Sequence, residues 1–320
     1  MKLLPALLGA ALICGAAHAQ NPAAYPEKPV RFVVAFAPGG IADIIARLLG
    51  QKLGDAWGQS VVIENRGGAA GSIATRQVAK AAADGYTVLV NTSAYAVAPS
   101  LSKDAGYDPE KDLVAVMNVA GSPNMVVAHP ALPAQTLKQA MALAREGKLN
   151  YSTAGAGTTP HLSAEYLFKI LGGVNVQHVP YPGAGPALNA VMGGQVELGS
   201  VALAPAVPMI RSGKVRALAV TSAKRVAALP EVPTIAESGF PGFSDYTWVG
   251  LFVPVGTPAA VVERLNAAVA AALATADMKD RLAALGFEID GGSPQDFARY
   301  IAEEVKKWAK VIKDTGARAE

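Results

Sequence analysis

Residues Arg31–Arg47 read RFVVAFAPGGIADIIAR, and this stretch decides the fold. An apolar, β-rich run (Phe32, Val33, Val34, Phe36) breaks at Pro38-Gly39-Gly40. A helical pattern follows, with Ile41, Ile44, Ile45, Leu48 and Leu49 on one face. A strand that turns through glycines into a helix aims bare N–H groups and the positive end of the helix dipole at one spot, which suits a small anion.

Outward from this unit the alternation continues. Strand-like Ser60–Glu64 and Tyr86–Asn91 flank a helical Ser72–Ala83, with Asn65–Gly68 and Asp84-Gly85 as loop and turn. The pattern restarts at Asn124–His129 and runs through a helix around Leu137–Arg145, Tyr151–Thr153, a helix Pro160–Leu171, Val174–Val179, a helix after Pro186, and Lys214–Thr221. Another apolar run, Thr247–Val253, precedes the helix Ala259–Ala274. A last helix begins at Ser293-Pro294, an N-cap followed by Pro at the first helical position. Its apolar stripe (Phe297, Ile301, Val305, Trp308, Ile312) is a packing face. Such βαβα order implies a largely parallel sheet with helices on both faces. Two similar α/β halves, with the chain crossing near Ala120 and back near Trp248, form the economical architecture, and the cleft between them is the expected ligand site.

The first residues read as an export signal: Met1-Lys2, an apolar Leu3–Gly15, and Ala17-His18-Ala19 as an A-x-A site, with cleavage after Ala19. The apolar run is too short to span a bilayer. Cys14, the sole cysteine, falls inside it, so the mature chain is expected to have no disulfide, thiolate nucleophile or cysteine metal site. About 300 residues remain, enough for two domains at roughly 150 residues each. With 17% charged residues, 51% hydrophobic and a net charge of +3, the chain reads as a packed globule with no basic tract for nucleic acid.

Three further loops carry candidate chemistry. YSTAGAGTTPHL (Tyr151–Leu162) again ends a strand in small residues, with Ala154, Gly155, Gly157 and Thr158 leading to a helix at Pro160. It fails as a dinucleotide fingerprint because the third glycine would fall at Pro160, and no P-loop lysine motif is present. VPYPGAGP (Val179–Pro186) places Tyr181 and Gly183 after a strand; Tyr181 is either a pocket wall or sheet packing. NTSAYAVAP (Asn91–Pro99) puts Ser93, Ala94 and Tyr95 just past a strand end. Asp43, in the first helical turn, reads as a cap, since its charge would repel an anion. His129, His161 and His178 lack metal-ligand spacing, and only His161 sits beside a glycine loop. No G-x-S-x-G, H-E-x-x-H or close carboxylate pair is present; an enzyme on this frame would have to rely on Ser152, Tyr181 or His161.

The motifs FAPGGIADIIAR, VVIENRGGAAGSIAT, AKAAADGYTVLV, YSTAGAGTTPHL, HVPYPGAGPAL, GGQVEL and RSGKVRALAVTSAKRVAALPEVPTIAESGFPG, in this order behind a signal peptide, resemble the Bug-type periplasmic solute receptors of tripartite tricarboxylate transporters. The resemblance runs from about Tyr25 to the C-terminus. It implies a two-lobed, Venus-flytrap type II fold with two crossovers, lobe 1 being 25–120 with 248–320 and lobe 2 being 121–247. It implies a non-enzymatic, monomeric receptor without cofactor or metal. The ligand would be a small carboxylate, and the partner the permease subunits of a transporter or a sensor kinase. By position it carries a ligand carboxylate, partly through ordered water, to Phe36, Pro38, Gly39 and Gly40 on one jaw and Ala154, Gly155, Gly157 and Thr158 on the other. Ser93–Tyr95 and Tyr181–Gly183 would close the sides, and Val201 lies at a position of the cleft. This chain departs from the family where Ser200 replaces a usual Phe, Val201 a usual Asp, Pro182 a common Lys and Ala190 a common Asp. Loss of an acidic group argues against amino-acid ligands. Pro38-Gly39-Gly40 is the expected seat of the carboxylate.

Overall fold

The computed structural model describes residues 25–316, apart from 103, 104 and 148. The proposed signal peptide, with Cys14 and the cleavage site at Ala19, lies outside the described residues.

In the first half, β1 (Val30–Val34), α1 (Ile41–Trp57), β2 (Val61–Asn65), α2 (Ser72–Ala79), β3 (Thr87–Thr92) and α3 (Ala94–Leu101) lead into β4 (Leu113–Ala128). Then come α4 (Leu137–Glu146), β5 (Asn150–Thr153), α5 (Thr159–Glu165), β6 (Gln177–Pro180), α6 (Ala184–Met192), β7 (Leu198–Ala202), α7 (Leu203–Arg211) and β8 (Arg216–Val220). The chain ends with β9 (Tyr246–Pro254), α8 (Ala259–Ala274), α9 (Ala276–Ala284), β10 (Glu288–Gly291) and α10 (Pro294–Thr315).

β1 is the centre of the first lobe because four of its five residues are fully buried, as a parallel strand covered by helices on both faces requires. It pairs in parallel with β2 and β3. α1 buries Ile41, Ile45, Leu49 and Leu53 at helical spacing and stops at Gly58, whose left-handed φ of 64° lets its N–H reach the Gly54 carbonyl. In the second lobe β5 pairs in parallel with β6 and β7.

Two strands join the lobes. β4 pairs antiparallel with β9 as far as Pro123↔Tyr246, and from Asn124↔Ala202 onward it pairs with β7. Pro123, which has no N–H to donate, sits where the ladder changes partner. The sequence reading restarts the pattern at Asn124, just after Gly121-Ser122-Pro123. The structure instead carries one 16-residue strand straight through that tripeptide.

Around these strands the apolar side chains form separate cores. One holds Phe32, Val33, Leu89, Phe252 and Phe297. Beyond the crossing, one cluster holds Tyr151, Leu167 and Phe168, and another Met125, Val201 and Val220. The fold is thus a two-lobed α/β architecture whose halves are joined by crossing strands.

Two local expectations change. Residues after Ser93, read as a loop, form α3 despite Pro99 near its end. The helix expected over Pro160–Leu171 is α-helical only to Glu165 and π-helical over Tyr166–Leu171. The wider turn seats Phe168 edge-on against Tyr151, with ring centroids 5.4 Å apart. α10 keeps the expected start: Ser293 and Asp296 form a reciprocal capping box, and Phe297, Ile301, Trp308 and Ile312 are buried.

Gly250 in β9 makes room for that helix. A Cβ there would lie 2.2 Å from Cζ of Phe297 and 2.6 Å from its Cε1. Gly250→Ala is therefore expected to destabilise the protein by about 1–3 kcal/mol, as overpacking does. Urea denaturation checks this: an unchanged midpoint would mean that Phe297 can step aside.

Candidate functional site

Between the lobes lies a cavity of about 400 Å³. Its walls come from Phe36 after β1, the Gly68–Ser72 loop, the end of α3 with Ala105, the Ala154–Ala156 loop, and Pro180–Pro182 after β6. A second void of about 30 Å³, on the scale of one or two water molecules, shares Phe36 and Ala154 and is bordered by Gly40, Thr158 and Ala184 at three helix N-termini.

The lobes touch at the rim of this space. Ala37 N–H donates to the Pro182 carbonyl at 3.1 Å. Glycines allow the approach: a Cβ on Gly67 would come within 3.0 Å of the Pro182 oxygen, on Gly183 within 3.0 Å of Ala37 N, and on Gly185 within 2.4 Å of the Pro38 oxygen.

The first jaw differs in detail from its expected role. Gly39 has a left-handed φ of 87°, and its N–H is taken by Asp43 Oδ2 at 3.0 Å. Pro38 has no N–H, and its carbonyl faces Gly185. Pro38 and Gly39 thus form the interlobe contact and are absent from the lining of both voids, whereas Phe36 lines both and Gly40 the smaller. Asp43 is buried and also accepts from Arg47 Nε at 3.0 Å and Asn65 Nδ2 at 2.9 Å. Burial pushes its pKa up, but Arg47, Gly39 N–H and Asn65 together outweigh that and hold the carboxyl below the usual range. Its reading as a cap agrees with these bonds.

In the second jaw, Gly155 and Gly157 have φ of 135° and 82°. Their N–H groups are engaged within the loop, Gly155 with Thr153 Oγ1 (3.2 Å) and Gly157 with His161 Nδ1 (3.1 Å). Thr158 N–H reaches the Gly155 carbonyl at 3.2 Å. The remaining N–H groups of this loop are those of Ala154 and Ala156, which both line the large cavity.

Facing them is a segment the sequence reading passed over as a loop. Gly68, Ala69, Ala70 and Gly71 all have positive φ, of 128°, 47°, 49° and 86°. For alanine this conformation costs about 1–2 kcal/mol per residue, and such strain concentrates at ligand sites. The turn closes through Gly71 N–H to the Gly68 carbonyl at 3.0 Å, so the N–H groups of Ala69 and Ala70 precede its first bond. The run of glycines and small residues in NRGGAAGS was the available signal.

Of the expected side walls, Tyr181 lines the cavity, and Gly183 makes the close approach to Ala37. Ser93, Ala94 and Tyr95 are fully buried instead, because α3 starts at Ala94 and turns inward. Tyr95 packs on Phe252 with centroids 4.2 Å apart and donates to the Pro109 carbonyl. Val201 is likewise a core residue of β7. Ser93 has a different use: its hydroxyl meets Thr159 Oγ1 across the lobes at 3.1 Å. Thr159 in turn bonds the Thr247 hydroxyl, which donates to Asn124 Oδ1 at 2.7 Å.

His161 and His178 stack behind the second jaw, centroids 4.1 Å apart. Burial pushes both pKa values down, His161 to about 4 and His178 to about 3; His161 and Lys169 add to the effect on His178, while Glu165 opposes it on His161. Among the described residues no group of three or more His, Asp or Glu side chains is placed to hold a metal ion.

The sequence profile of the family described as tripartite tricarboxylate transporter family receptor matches residues 45–317. The chain belongs to that family. Among relatives of this receptor family, BugT of Bordetella pertussis is 37% identical over 298 residues, covering 92% of this chain and 91% of BugT. A structure of R. palustris Rpa4515 with adipate is 39% identical, with a TM-score of 0.88 and coverage of 92% and 99% of the two chains. MatC from Rhodopseudomonas palustris with bound malate is 35% identical, with a TM-score of 0.84 and coverage of 90% and 100%. Two of these relatives are thus solved with a carboxylate, adipate in Rpa4515 and malate in MatC.

The histidine pair yields a pH prediction. In the unfolded chain both rings titrate near 6.5, and in the native protein they stay neutral to lower pH. Their stability contribution is therefore complete above pH ~6.5 and is lost as pH falls toward 4, at about 1.4 kcal/mol per pH unit for each ring. His161→Gln keeps an acceptor for Gly157 N–H but removes the titration. It should flatten the stability slope between pH 4 and 6.5 by one proton equivalent; an unchanged slope would refute a buried neutral His161.

Proposed function

We propose that this chain is an extracytoplasmic solute receptor that binds a small carboxylate between its lobes and delivers it to the membrane subunits of a tripartite transporter. The observation that carries the reading is the cavity of about 400 Å³, whose lining includes small-residue loops from both lobes, Gly68–Ser72 and Ala154–Ala156. On this reading the ligand carboxylate is held by N–H groups of Ala69 and Ala70 from one turn and of Ala154 and Ala156 from the other, all four being residues that line the cavity. Oriented peptide dipoles of this kind hold an anion without a cationic side chain, and closure of the lobes strengthens them by removing water.

On this reading Phe36, Ala154, Gly155 and Tyr181 face the ligand, while Gly40 and Thr158 border the small void beside it. Pro38, Gly39, Gly183 and Gly157 shape the loops and the closure contact. The lobes would divide as 25–120 with 248–320, and 121–247. The first nineteen residues would direct export and be removed after Ala19. The adipate and malate held by relatives support the ligand class.

Thermal unfolding of protein stripped of carried-over ligand, against a panel of small organic acids, tests the proposal. A ligand at a hundred times its Kd adds about 2.7 kcal/mol to stability, so at least one acid should raise the midpoint by several degrees. No rise across the panel would overturn the assignment.

A further inference from the structure

We propose that Leu162 sets ligand affinity from outside the cavity, by seating in an apolar socket of the opposite lobe when the cleft closes. The proposal rests on the receptor reading above and concerns how that site keeps its ligand. Leu162 stands on α5, one turn beyond Thr159, and lines neither of the two voids. It is 2% exposed, yet it belongs to neither apolar cluster of its own lobe. Its neighbours are instead Val97 of α3 and Trp308 and Ile312 of α10, backed by Leu101 and Val311. Those two helices are part of the first lobe: Phe297 and Ile301 of α10 and Tyr95 of α3 lie in its core. Among the described residues, Leu162 is the one member of this cluster that the second lobe supplies.

The socket is held by bonds in which Leu162 has no part. Glu304, itself buried, accepts on Oε2 from Trp308 Nε1 at 2.9 Å and from Trp248 Nε1 at 3.1 Å. Lys307 Nζ donates to its other oxygen at 2.9 Å. A buried carboxylate is tolerated only with such donors around it. Trp248 lies on β9 opposite Gly121 of β4, so Glu304 pins the Trp308 indole to the crossing strands. Leu101 connects this socket to the site. It lines the large cavity, and a Cβ on Gly157 would lie 2.7 Å from its Cδ2, so the second jaw rests directly on it. Thr159, whose hydroxyl meets Ser93 across the lobes, precedes Leu162 on the same helix. The movement that brings the second jaw onto the ligand therefore seats Leu162 as well. Apolar surface buried in this way favours the closed form and makes no contact with the ligand. A receptor that is closed for a smaller fraction of the time binds every ligand more weakly in the same proportion.

Isothermal titration and stopped-flow dissociation test the proposal on the mature protein, refolded to strip bound ligand. The probes are adipate, malate and benzoate, with any further acid that raises the melting temperature. Leu162→Ala should weaken each acid that binds by about tenfold through faster dissociation, with the ratios between acids kept within about twofold. Leu162→Met, which keeps the volume, should bind within about threefold of the wild type. Leu162→Val serves if Leu162→Ala does not fold, and should weaken binding by about threefold. A folded truncation that binds every acid as the wild type does overturns the proposal and leaves the receptor reading in place. So does a loss that differs more than about tenfold between acids, because Leu162 would then be reading the ligand itself. If no acid binds the wild type or raises its melting temperature, the receptor reading falls and this proposal with it.

Discussion

The contact on which the rest depends is the hydrogen bond from Ala37 N–H to the Pro182 carbonyl, 3.1 Å across the mouth of the cleft. It brings the backbone of one lobe against that of the other, and it is possible because Gly67, Gly183 and Gly185 have no side chains in the way. Phe36, one residue before the contact, and Tyr181, one residue before Pro182, thereby become walls of one cavity. The loop that makes the contact is itself held by Asp43, whose carboxylate takes the Gly39 N–H and is anchored by Arg47 and Asn65. The prominent glycine turn is thus the latch, and the strained turn at Ala69-Ala70 joins the second jaw to form the cradle.

Behind the latch, a buried polar chain ties closure to the crossing strands. Ser93 of the first lobe meets Thr159 of the second, and Thr159 meets Thr247 on β9, which bonds Asn124 on β4. Asn124 Nδ2 then donates to Asp245 Oδ2 at 2.6 Å. Burial pushes the Asp245 pKa up to about 6 even though Ser163 and Asn124 favour its charged form. Each hydroxyl in this chain is costly to bury without its neighbour, so the network favours one relative placement of the lobes.

Much of the architecture was legible because it is written in periodicity. The buried β1, the amphipathic α1 and α10, and the Ser293 cap all follow from local pattern. What local pattern could not reveal was set by tertiary pairing. Gly121-Ser122-Pro123 carries turn residues, yet β9 on its flank keeps it extended through the crossing. Tyr95 stands just past a strand, where a cleft wall is expected, but the helix that begins at Ala94 swings it under Phe252. Nor does a glycine-rich loop declare which of its N–H groups are already engaged: Gly39, Gly155 and Gly157 bond within their own loops, whereas Ala69, Ala70, Ala154 and Ala156 are the loop alanines that line the cavity.

A crystal structure of the protein with a bound organic acid tests the central claim most directly. The account predicts carboxylate oxygens within hydrogen-bond distance, direct or through one water, of backbone N–H groups in both Gly68–Ser72 and Ala154–Ala156, with the Ala37–Pro182 bond intact. A carboxylate paired with a lysine or arginine side chain, or one bound with either loop left out, would contradict it.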